Sequence, residues 1–126
     1  MTVPTVIWVG LGGFIGASAR YLVAVAVARV FAPPFPWGTV TVNLAGSLLI
    51  GIVTALAETR GMLSTEARFF LVTGVLGGFT TFSALSMETY ALLRAGSWAL
   101  ALGSVALQLA LGVSAAAIGY AFARGQ

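Results

Sequence analysis

The chain has 126 residues, of which 60% are hydrophobic and only 7% charged, with a formal net charge of +3. A soluble domain carries about 25% charged residues, so this composition predicts an integral membrane protein. Cys, His, Asp and Lys are all absent, which excludes disulfides, thiol chemistry and soft-metal sites and leaves three Glu and six Arg.

The first apolar segment covers residues 6–30. No positive charge precedes it, so it is expected to be a span rather than a cleaved signal peptide. Gly12, Gly16 and Arg20 recur at helical spacing on one face. Arg20 lies well inside the span; it either snorkels outward or marks the mouth of an anion pathway. A proline-rich turn, APPFPW, ends this segment.

The second segment covers residues 38–57. Thr39, Asn43 and Ser47 fall at i, i+4 and i+8, and Gly51 continues the row. Small and hydroxyl residues in such rows serve helix packing. A carboxamide in hydrocarbon has more hydrogen-bonding positions to satisfy, and it offers N–H donors to an anion. Packing and a polar path are both open for Asn43.

The third segment, residues 67–93, follows a short connection in which Ser64 is a candidate helix cap. It contains GGFTTFS at 77–83. Each glycine costs about 1 kcal/mol in a helix interior. The double glycine is therefore expected to break the helix near mid-membrane depth. Freed backbone groups are tolerated there only where they line a cavity or hold an ion. Thr80, Thr81, Ser83 and the electropositive ring edge of Phe82 are the available parts. Glu88 is an intramembrane carboxylate, suited to proton or cation chemistry, to a vestibule, or to pairing with Arg.

The last segment, residues 98–122, follows the turn RAGS and places Ser97, Ser104 and Gln108 close together on the helical wheel. Residues 1–126 therefore form one four-helix transmembrane domain without internal repeats. With four spans, one side carries Arg60, Arg68 and Arg124, and the other Arg29, Arg94 and, by its lean, Arg20. The positive-inside rule then pulls both ways, and insertion in either orientation becomes available.

GGFIGA at 12–17 leading to Arg20-Tyr21, Gly38-Thr39 with VNLAGS at 42–47, and GVLGGFTTFS at 74–83 followed by Ser86 and Glu88 together resemble the Fluc (CrcB) family of fluoride channels. The resemblance covers nearly the whole chain. It implies a passive, non-enzymatic channel of a bacterial inner membrane that exports F⁻ and protects against fluoride toxicity. It implies an antiparallel, dual-topology homodimer with two pores. Asn43, Thr39, Thr81, Phe82, Ser83, Ser104 and Gln108 would line the pore, and Arg20 and Glu88 the vestibule. It further implies a structural Na⁺ at the dimer centre, held by the backbone carbonyls of Gly77 and Thr80 from both subunits. Carbonyl oxygens suit such a hard cation. One departure stands out: the family usually has a second Phe three residues after the first, where this chain has Leu85. That leaves a heterodimer with a different subunit open.

Two other classes fit the hydropathy. A small dual-topology drug exporter needs a carboxylate deep in its first helix, where this chain has Arg20 and no acid. A non-transporting membrane scaffold explains the glycines but neither the Asn43 row nor the unhelical third segment.

Overall fold

A computed structural model describes residues 2–125. Among them, four helical stretches are long and apolar enough to cross a membrane. They are α1 (Val3–Ala28), α2 (Trp37–Arg60), a composite third span (Thr65–Arg94) and α6 (Trp98–Arg124). The third span consists of α3 (Thr65–Arg68), a π-helical stretch (Phe69–Leu76), α4 (Gly77–Phe79) and α5 (Phe82–Arg94).

The boundaries follow local chemistry. Pro4 sits in the first turn of α1, where its missing N–H costs nothing. Trp37 opens α2 and packs on Phe31 and Phe35, with ring centroids 5.4 and 4.6 Å away. Gly61 ends α2 in the left-handed region at φ 58°. The Ser64 hydroxyl accepts the Ala67 amide at 3.2 Å and starts α3, as the sequence predicts.

Small residues set the packing. A Cβ on Gly12 would run into the Phe70 carbonyl, and one on Gly16 into the Val75 carbonyl. One on Gly78 would lie 2.6 Å from the Gly13 carbonyl. These contacts advance together, so α1 and the third span run parallel at backbone contact. The second pair is α2 with α6: a Cβ on Gly51 would meet the Ala116 carbonyl, and one on Gly119 the Leu48 carbonyl. Tyr120 donates to Glu58 at 3.1 Å, which places the C-terminal ends of that pair together. Such close approach lets dispersion and helix contact stand in for the hydrophobic effect, which is weak between helices in lipid.

The double glycine does not interrupt the third helix. Gly77 and Gly78 are themselves helical, and Gly78 lies against the α1 backbone at Gly13. The non-helical residues are Thr80 (φ −79°, ψ 159°) and Thr81 (φ −151°, ψ 116°). The sequence also gives no warning of the π-helical stretch, whose wider turns lie where α1 presses closest.

Candidate functional site

The site is organised by the carboxamide of Asn43 on α2. Its Oδ1 accepts the Thr81 amide at 2.8 Å, and its Nδ2 donates to the Thr81 carbonyl at 3.1 Å. The side chain thus imitates a peptide group and pairs with the extended backbone at Thr81. This double bond also fixes which end of the amide points where, because the N–H needs an acceptor and the C=O a donor. The same Nδ2 donates to Gln108 Oε1 at 2.7 Å, and Gln108 Nε2 donates to Ser104 Oγ at 3.0 Å. Ser104 and Gln108 are buried on α6. A continuous polar row therefore runs from the third span through α2 to α6, inside an otherwise apolar bundle.

The interruption has its own cap. The Thr81 hydroxyl accepts the Ala84 amide at 3.1 Å and lies 3.2 Å from Ser83 Oγ, so Thr81 begins α5 as an N-cap. Thr80 donates instead to the Leu76 carbonyl at 2.9 Å. Because the Thr81 N–H turns to Asn43, it does not close a helical bond on the Gly77 carbonyl.

One turn further, Thr39 donates to Glu88 Oε1 at 2.7 Å. The other carboxylate oxygen, Oε2, is buried without a partner among the described residues. Arg20 and Glu88 line one cavity of about 330 Å³, together with Thr39 and Thr81. A second cavity of about 330 Å³ is walled by Asn43, Ser47, Gly77, Thr80, Phe82 and Leu85, among others. Thr81 borders both cavities.

The residues singled out in the sequence therefore fall into three groups. Asn43, Thr81, Gln108 and Ser104 are hydrogen-bonded in series. Thr39, Glu88 and Arg20 share the first cavity. Gly77, Thr80 and Phe82 border the second, and Ser83 lies beside Thr81. Phe82 is 77% exposed in the single chain, whereas Leu85 is 8% exposed. The sequence reading missed the pairing of Asn43 with backbone; a Thr directly ahead of a helical run was the available signal for the cap.

The family model described as "CrcB-like protein, Camphor Resistance (CrcB)" matches residues 7–120. The chain belongs to the CrcB family. A Roseiflexus protein named "Fluoride-specific ion channel FluC" is 45% identical over 94% of this chain and 96% of its own length. A relative of the same name from Ruegeria is 46% identical over 96% and 95%. Another from Clostridium perfringens (strain 13 / Type A) is 40% identical over 92% and 91%. The CrcB match takes in every residue of the three groups above.

Proposed function

We propose that this chain is a fluoride channel of a bacterial inner membrane, passing F⁻ passively out of the cytoplasm. The observation that carries this reading is end-to-end similarity to CrcB relatives named as fluoride-specific ion channels. The buried row of donors and hydroxyls gives the name a physical basis, since a small anion leaving water needs donors in exchange. Neutral HF enters a cell, loses its proton in a near-neutral cytosol and is trapped as F⁻; a pore lets it leak back out. We read the chain as a channel and not an enzyme.

The assembly proposed is an antiparallel homodimer with two pores. The near-equal arginines on the two sides support dual topology. The open cavity at Thr80 and Thr81 supports a second copy, because a non-helical backbone at bilayer depth must be covered by protein or water. The exposed ring of Phe82 on its rim is then available to a second copy. Gly77 and Thr80 also fit a structural Na⁺ at the centre. Both border that cavity, and the Gly77 carbonyl is released by the turn of Thr81 towards Asn43. When bound, the ion supplies a central positive charge that ties carbonyl oxygens of the two copies together.

The test is fluoride efflux from liposomes holding the purified chain, with chloride as control. Fluoride efflux without chloride efflux is expected; none of either would sink the channel reading. Tags on the termini should be reachable from both sides of the membrane in comparable amounts, and a one-sided result would remove the antiparallel homodimer. If the pure chain conducts nothing but Leu85→Phe restores flux, the functional unit is a heterodimer whose other subunit supplies the missing ring.

A further inference from the structure

Six of the hydroxyls along the spans are spent locally. Thr41, Thr59, Thr80, Ser86, Thr89 and Ser114 each donate to the carbonyl four residues back, at 2.7–3.0 Å. Thr54 on α2 and Thr65 and Thr73 on the third span make no hydrogen bond among the described residues. These three, with Arg68, Phe69 and Val72, line a cavity of about 330 Å³. Val72 is also a wall of the cavity beside Asn43, so the two spaces adjoin. The nearest acid in sequence, Glu66, lines a different cavity with Trp8 and Phe70.

From this juxtaposition we infer that Arg68, Thr54, Thr65 and Thr73 form an anion-binding station at the terminal-side mouth of the pathway, feeding the Asn43 site. The inference rests on the fluoride-channel reading and adds a residence point to it. Three hydroxyls can turn their protons towards a small, strongly hydrated anion, replacing its water one contact at a time. A guanidinium beside them is always charged and raises the local anion concentration. Beyond Val72 the lining carries no charged side chain and includes the Ser47 hydroxyl beside Asn43, so the anion passes from a charged mouth to a neutral interior.

The experiment measures fluoride efflux at low and at saturating fluoride, alongside ¹⁹F linewidth of sodium fluoride titrated into the detergent-solubilised full chain. Arg68→Gln is expected to lower flux at low fluoride by about tenfold, with the difference closing at saturation. Arg68→Lys should recover most of it. Thr54→Val/Thr73→Val should weaken low-fluoride flux and ¹⁹F broadening while the assembled species is retained. Arg29→Gln, at an exposed helix end, is the control. Flux and linewidth matching that control would overturn the station. So would loss of assembly in the valine variant, which would assign the hydroxyls to contacts with another copy. If the wild-type chain conducts no fluoride, the channel reading fails separately. Linewidth in wild type against Thr54→Val/Thr73→Val/Arg68→Gln then decides the station by itself.

Discussion

The third span holds two halves that are secured in opposite ways. From Phe70 to Phe79 it lies against α1 through glycines, backbone on backbone. From Thr81 onward it is secured by side chains: Asn43 on the Thr81 backbone and Thr39 on Glu88. The first half tolerates little added volume at Gly74 and Gly78, which lie on the α1 backbone. The second half depends on each donor meeting its acceptor, beside the two cavities that Thr81 borders. A membrane protein can thus place a rigid seam and a permeable seam end to end in one helix.

Adding a single methyl to the rigid seam should have the largest effect. Gly16→Ala drives a Cβ into the Val75 carbonyl, where only backbone can yield. A loss of about 3 kcal/mol or more is expected from such overpacking. It would be read as loss of the monodisperse species in detergent; a normal thermal transition would show that α1 can slide. Next comes Asn43→Asp in the permeable seam. It keeps the shape but faces acceptor to acceptor at the Thr81 carbonyl and Gln108 Oε1. Fluoride efflux should fall at least tenfold, and the buried mismatch should cost about 1–3 kcal/mol in thermal stability. Efflux near wild type would reduce Asn43 to a packing residue.

A smaller and more selective effect is expected at Phe82. Because it is 77% exposed, Phe82→Ile should leave the melting of the single chain almost unchanged. Flux should nevertheless drop several-fold, since Ile keeps bulk but has no electropositive edge. Leu85→Phe should assemble, its ring turning into the adjoining cavity. Normal conduction by Phe82→Ile would make the ring packing alone. The smallest change lies outside both seams: Gly61→Ala, at φ 58°, should cost about 1 kcal/mol and leave flux intact. An unshifted melting temperature would show that this turn relaxes.

The spans and their turns were legible because hydropathy and Pro, Gly and Ser punctuation report them directly. Ser64 capped its helix as the sequence indicates. The polar row was legible as a set of residues, through i+4 spacing on α2 and α6, but its wiring was not. Nothing in a one-dimensional pattern says that the Asn43 carboxamide pairs with the Thr81 backbone, since that depends on how two distant helices meet. The double glycine misled for a related reason. Low helix propensity is equally the mark of a break and of a close crossing, and only the position of α1 tells them apart. The π-helical stretch was invisible because Phe69–Leu76 carries no local signal for wider turns.

That stretch also bears on how the chain tolerates changes in length. A π turn holds one more residue than an α turn between the same hydrogen-bonded ends. Phe69–Leu76 is therefore a store of slack. Removing one residue there, for instance Val72, can be absorbed by rewinding to an α turn, with Gly78 and Thr81 still opposite Gly13 and Asn43. The same deletion in α5 would rotate everything beyond it by about 100° and carry Glu88 away from Thr39. Single-residue deletions scanned along the third span should thus leave assembled protein only when they fall within Phe69–Leu76. Equal loss at every position would show that the wide turns are fixed in length.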